Sequence, residues 1–141
     1  MRLATTAVDD WNSVTVASKS RSQLTRQNRI IKALGSGSHI PRVEDKLLSR
    51  YYTYLTEHLC FPFIAHSPKP MNSQEEEDFR CAVLELLDPA NDSYDEFDGI
   101  FCKTSKEKFE INLPLIDLYL PEDTFGFQLI DDYWFWFWNW R

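Results

Sequence analysis

Seven of the eight residues from Tyr133 to Trp140 are aromatic, and no other feature constrains the fold as much. Trp134, Trp136, Trp138 and Trp140 step by two, as on a strand, but Phe135 and Phe137 between them make both faces aromatic. Periodicity therefore does not choose between strand and helix. The residues upstream do: Pro121 followed by Glu122 and Asp123 resembles a helix start and predicts a helix from about residue 124 into the run. One helix face cannot bury so many rings, so some should remain exposed. Two readings stand side by side, an aromatic interaction patch and ordinary core rings with a solvent-facing remainder.

A partner for those rings is legible in the middle of the chain. After Pro41, Val43, Leu47, Tyr51, Tyr54, Leu55 and Leu59 recur at steps of three and four, which predicts an amphipathic helix over about 43–59. Glu44 and Asp45 suit the positive end of its dipole, and Pro62 disfavours helical geometry beyond Cys60. A short strand from Phe63 to His66 should follow, then a turn at Lys69 to Met71. Cys81, Val83, Leu84, Leu86 and Leu87 fit a strand over about 79–88, covered on one side. Ile100 to Lys103 forms a third strand, Ser105 to Lys108 a turn, and Phe109, Ile111 and Leu113 alternate along a fourth. These elements predict an α+β fold in which a helix packs on a small, curled antiparallel sheet.

Charge is distributed unevenly. Residues 1–50 hold nine Lys/Arg against four Asp/Glu, and residues 51–141 hold six against eighteen. The larger part should repel nucleic acid and anionic lipid while attracting cations or a basic protein partner. Residues 1–40 read as a polar, basic arm and linker ending in the stretch Gly35 to Ser38. A short helix over 22–34 could carry Leu24, Ile30, Ile31 and Leu34 on one side, with Arg21, Arg26, Arg29 and Lys32 elsewhere on it. It is either loosely docked or an arm that binds an acidic surface, the chain's own included. No run is apolar enough to span a membrane. Cys60, Cys81 and Cys102, an odd number without a CxxC pair, indicate small core residues in a reducing, cytoplasmic setting.

Carboxylates are the chemistry the sequence offers. A hard divalent cation takes six to eight oxygens from carboxylates, carbonyls and water, and three clusters could supply some: Glu75 to Asp78, the loop with Asn91, Asp92, Asp95, Glu96 and Asp98, and the later set Asp117, Glu122, Asp123, Asp131 and Asp132. The loop is the first choice, with Asp92, Asp95 and Asp98 as ligands, Glu96 and Asn91 in support, and Gly99 allowing a sharp turn behind them. Asp117, Glu122 and Asp123 form a second choice, should the end of the sheet fold back beside the loop. An EF-hand does not fit, because Glu96 falls where that motif needs glycine. Acidic loops are also common as plain solvated surface, and crowded carboxylates destabilise a fold unless a cation joins them. Catalytic readings have little support. His58, Cys60 and His66 lack an orienting third group and zinc-site spacing, and there is no phosphate-binding glycine loop. The chain reads as a non-enzyme.

The stretch LLSRYYTYLTEHLCFPFIAHS, Leu47 to Ser67, resembles the opening of the CcbP family of small calcium-binding proteins, through Tyr51, Tyr52, Tyr54, Leu55, Leu59, Phe61, Pro62, Phe63 and Ala65. FEINLPLIDLYL resembles that family's last strand and the turn after it, and Asp131 to Trp134 its closing acidic-aromatic segment. The resemblance covers about residues 43–141. It implies an N-terminal helix on an SH3-like antiparallel β-barrel with a C-terminal aromatic helix, residues 41–141 forming an acidic domain that binds and buffers Ca²⁺ without EF-hands. The rival expectation is an SH3-like interaction module that uses its acidic surface and exposed tryptophans on a basic partner.

Overall fold

The computed structural model describes residues 25–67, 79–90 and 97–141. The turn at Lys69 to Met71, the acidic run Glu75 to Asp78, the arm before residue 25 and the loop residues Asn91 to Glu96 lie outside the described residues. The elements in chain order are helix α1 over residues 25–34, helix α2 (Asp45–His58), strands β1 (Phe63–Ser67), β2 (Phe79–Leu86), β3 (Phe101–Lys106) and β4 (Phe109–Pro114), a 3₁₀ turn Leu115–Asp117, and helix α3 (Phe127–Asn139).

α1 is packed rather than frayed. Ile30 and Leu34 are fully buried and Ala33 nearly so. Its end is closed by a Schellman pair, Gly35 N–H to Lys32 O and Ser36 N–H to Ile31 O, with Gly35 at φ +62° in the left-handed region that glycine adopts without strain. α2 buries Leu47, Leu48, Tyr51 and Leu55, the stripe that three- and four-residue spacing predicts, and ends where the Leu59 N–H bonds Leu55 O. Aromatic rings join the helices: Tyr51 meets Tyr133 edge-on at 5.2 Å and Trp136 at 5.3 Å. The Trp136 indole N–H donates to Pro41 O at 2.9 Å and the Val43 N–H to Trp140 O at 2.7 Å. The aromatic run therefore also fixes the entry to α2.

Within that run Tyr133, Trp136 and Phe137 are fully buried, whereas Trp134 and Trp138, one turn apart, are about half exposed. The helix starts at Phe127, later than Pro121 suggests. Residues 122–126 form turns, and Gly126 at φ +92° precedes the first helical residue.

The strands form one antiparallel sheet in the order β1-β2-β3-β4. Ala65, Cys81, Val83, Cys102 and Thr104 are buried on it, and the Thr104 hydroxyl donates to Ile111 O at 2.7 Å. The sheet is not closed into a barrel, in contrast to the expected SH3-like closure. After the 3₁₀ turn the chain does return to the free edge of β1, where His66 and Tyr119 exchange both backbone hydrogen bonds at 2.9 Å. Pairing stops at this single bridge. Leu118 and Leu120 on either side turn into the core, and Pro121 has no N–H to extend a ladder.

Phe109 and Ile111, which alternate along β4, are 75% and 49% exposed, because the helices pack over β2 and the 3₁₀ turn rather than over the β4 edge. One further expectation needs correction. Cys60 is exposed just past the end of α2, so only Cys81 and Cys102 serve as small core residues. Among the described residues, no helix is long and apolar enough to cross a membrane.

Candidate metal centre

Strand register decides which acids meet. β3 and β4 pair Phe101 with Pro114 and Cys102 with Leu113, and the pattern continues past the strand ends as the Leu115 N–H donates to Ile100 O at 2.8 Å. Three residues beyond Phe101 in one direction and Pro114 in the other lie Asp98 and Asp117. Both lie at the open end of the hairpin, one at the end of the acidic loop and one, exposed, on the 3₁₀ turn. Asp117 is pushed up from its ordinary value, first by partial loss of water and second by the negative charge of Asp98. The register thus carries one member of the first-choice loop and one of the second-choice set to the same end of the sheet.

The loop end is held from below by α3. Gly99 has φ +71°, and a Cβ placed there would come within 2.5 Å of the Tyr133 hydroxyl and 2.7 Å of Phe137 Cε1. Only glycine satisfies both the backbone angle and the contact. The next residue, Ile100, is fully buried, and its N–H donates to that same hydroxyl at 2.9 Å. Sequence reading identified Gly99 as a turn former but missed Tyr133, whose position among six other aromatics concealed a hydroxyl that reaches the end of the loop at Ile100.

The remaining acids divide. Glu122 and Asp123 occupy an exposed turn before α3. They do not join the pair, for no three metal-ligating side chains gather among the described residues. Asp131 and Asp132 are engaged by the chain's own basic helix. Arg26 Nη2 lies 2.8 Å from Asp131, while Arg29 holds the buried Asp132 through two hydrogen bonds of 2.6 and 3.0 Å, with Arg26 Nε at 3.4 Å. The acidic surface predicted to attract a basic partner has, at this point, an intramolecular one. Asn91, Asp92, Asp95 and Glu96 lie outside the described residues. Asp88, just before them, closes a small turn by accepting the Ala90 N–H at 2.9 Å.

His58, Cys60 and His66 do not form a nucleophilic unit. His58 stacks on Tyr54 and bonds its carbonyl, and His66 stacks on Tyr119. What this end of the sheet offers is two carboxylates within electrostatic reach of each other, oxygen donors of the kind that fit a hard divalent cation rather than thiophilic or imidazole-bound metals.

A family model described as calcium binding, of the CcbP type, matches residues 42–137. The chain belongs to the CcbP family of calcium-binding proteins. The match takes in α2, the whole sheet and nearly all of α3, and with them both members of the carboxylate pair. Two solved structures share the fold. The crystal structure of Anabaena CcbP is 18% identical, with 79% of this chain and 88% of that one covered at a TM-score of 0.56. A calcium-binding protein in its calcium-binding form is 19% identical with the same coverage and TM-score. No curated protein sequence matches the chain. The family's ion is Ca²⁺, and the CcbP family is a binding family rather than an enzyme family.

Proposed function

We propose that this protein binds Ca²⁺ at the mouth of the β3–β4 hairpin and acts as a non-catalytic calcium buffer. The observation that carries this reading is that the hairpin register brings Asp98 and Asp117 to the same end of the sheet, near enough for the charge of Asp98 to help raise Asp117, an arrangement that a divalent cation would favour. Asp92, Asp95, Glu96 and Asn91 are the natural sources of further oxygens, being on the loop that ends at Asp98, with backbone carbonyls and water completing the shell. Glu122 and Asp123 are assigned no direct ligation, since nothing draws them to the pair. Family membership and the likeness to a structure in its calcium-binding form support Ca²⁺ as the ion. The site is an irregular loop closed by a strand register, not an EF-hand. We read the return of Tyr119 to β1 as an SH3-like curl stopped short of closure, with a cytoplasmic setting the natural one for three unpaired thiols.

Calorimetric titration with Ca²⁺ and with Mg²⁺ at physiological salt tests the proposal. Ca²⁺ should bind more tightly than Mg²⁺, which demands a tighter octahedral shell and gives up water reluctantly, and Asp117→Asn should weaken Ca²⁺ binding at least about tenfold. Absence of Ca²⁺ heat in the wild type, or an Asp117→Asn curve that overlays it, would exclude the site.

A further inference from the structure

β4 is the outer strand of the sheet, with β3 on one side and, among the described residues, no strand paired on the other. The register shows which of its backbone groups are left over. The Ile111 carbonyl accepts the Thr104 hydroxyl, the Leu113 carbonyl faces the Cys102 thiol, and the Leu115 N–H bonds Ile100 O. Residues 111, 113 and 115 therefore turn their polar groups toward β3, and strand alternation directs the N–H and C=O of Glu110 and Asn112 outward. The edge carries none of the usual blunting devices: no lysine, no bulge and no interior proline between Phe109 and Pro114. Phe109 and Ile111 stand exposed beside it, on the sheet face that buries Cys102 and Thr104.

The order of residues along this edge says what fits it. Residues 109–113 read Phe-Glu-Ile-Asn-Leu, which is self-complementary about Ile111. When a second copy runs antiparallel with the two Ile111 residues opposite each other, Phe109 meets Leu113 of that copy and Glu110 meets its Asn112. The Glu110–Asn112 pairs are then the hydrogen-bonded kind, and the apolar pairs fall at the closer, non-hydrogen-bonded positions. No like charges stand directly opposite. Residues 101–114 also hold three Lys against two Glu in a chain of net charge −7, so this hairpin escapes the repulsion that the acidic remainder would impose on a second copy.

We propose that two copies of this chain associate through β4, edge to edge about a two-fold axis at Ile111, so that their sheets join into one. Each Glu110 exchanges both backbone hydrogen bonds with Asn112 of the other copy, which satisfies the outward groups on both sides. Phe109 and Ile111 gain the cover that the helices of their own copy do not give them. Two short strands bury less than the roughly 1,200–2,000 Å² of a standard interface, so concentration governs the dimer.

Analytical ultracentrifugation of the full chain from about 10 μM to about 1 mM tests this. The mass should rise from that of the 16.7 kDa chain toward twice it. Over the same range the Glu110 and Asn112 amides should gain protection against hydrogen exchange, while that of Ile111, already turned to β3, should not change. Two substitutions of adjacent exposed residues add the same charge. Ile111→Lys sets like charges together on the axis and should weaken association at least about tenfold. Asn112→Lys faces Glu110 of the second copy and should tighten it about threefold. A response to net charge alone would move both variants the same way, and that result overturns the proposal, as does an inert Asn112→Lys or a chain that is monomeric at every concentration. So does a dimer that leaves the Glu110 and Asn112 amides unprotected, as one built on the exposed Trp134 and Trp138 would. If circular dichroism shows Ile111→Lys to be misfolded, Asn112→Lys and the exchange measurement decide by themselves.

Discussion

The N–H of Ile100 and the hydroxyl of Tyr133 meet at 2.9 Å inside the core, 33 residues apart in sequence. This bond joins the end of the acidic loop to the aromatic helix, and the Ile100 carbonyl carries the tie onward to Leu115 and the turn that bears Asp117. The proposed Ca²⁺ site would thereby rest on a buried backbone position, Ile100.

Tyr133→Phe removes only the oxygen and leaves the Ile100 N–H buried without its acceptor. An orphaned buried donor costs about 1–3 kcal/mol, so urea denaturation should give a lower midpoint at unchanged slope. The Ile100 amide should also lose protection against hydrogen exchange, a local readout that a general loss of packing would not single out.

Gly99→Ala should be worse. The substitution combines a left-handed φ of +71° with a methyl group 2.5 Å from the Tyr133 oxygen, and the two penalties together amount to about 3 kcal/mol. Thermal unfolding should register a drop of many degrees. Combined with Tyr133→Phe, part of that loss should be recovered, because the nearer of the two clashing atoms is gone.

The Arg29–Asp132 pair predicts a coupled response. Asp132 is almost fully buried, so Arg29→Ala leaves its carboxylate to Arg26 alone, at 3.4 Å, and should cost about 3 kcal/mol, while Asp132→Ala should cost less because the Arg29 side chain is partly exposed to water. In the double variant the losses should be far from additive, with a coupling energy of about 2 kcal/mol in a double-mutant cycle of denaturant midpoints. Neither Arg29 nor Asp132 belongs to the proposed Ca²⁺ site, and Ca²⁺ affinity should be unchanged in whichever of these variants folds.

High pH should unfold the protein through its buried acids. Burial pushes the Cys102 thiol up to about 12 and raises the Tyr51 and Tyr133 phenols well above their ordinary value. All three are protonated in the fold and titrate lower in the open chain. The folded state thus binds more protons, and the stability these groups contribute is complete below about pH 8.5 and falls as pH rises through the unfolded thiol and phenol range. A plot of denaturant midpoint against pH should be flat near neutrality and decline above about pH 9. In the same experiment one thiol, Cys60, should react with a thiol reagent in the native state, with Cys81 and Cys102 reacting only on unfolding.

Much of this architecture can be read from the chain. The apolar steps from Leu47 to Leu59, the breaker at Pro62, and the alternation and turn signals from Cys81 to Leu113 each specify a local geometry, and those elements stand close to where the residues place them, except that β3 runs on to Lys106 through Ser105, which reads as turn. Closure was beyond such reading, since one bridge at His66 and Tyr119 in place of a fifth strand depends on how Leu118 and Leu120 pack. The exposure of Phe109 and Ile111 escaped notice for a similar reason: alternation says that a strand has an apolar side, not that a helix will lie over it. For the candidate site, composition identified both acidic groups, but only the hairpin register carries Asp98 and Asp117 to the same end of the sheet. A two-residue turn at Glu107 and Lys108 carries that information in principle. Glu107, at φ +57°, is a poor turn signal, and glycine or asparagine there would have marked the register plainly. The commitment of Asp131 and Asp132 to Arg29 and Arg26 is a pairing across more than a hundred residues, which no local pattern encodes.

The central claim, that the hairpin register creates the calcium site, is tested most directly by locating the ion. Crystals grown with CaCl₂, with the ion identified by anomalous scattering, should place a peak 2.3–2.6 Å from carboxylate oxygens of both Asp98 and Asp117. A peak held instead by Glu122 and Asp123, by Asp131, or by no protein carboxylate would contradict the account.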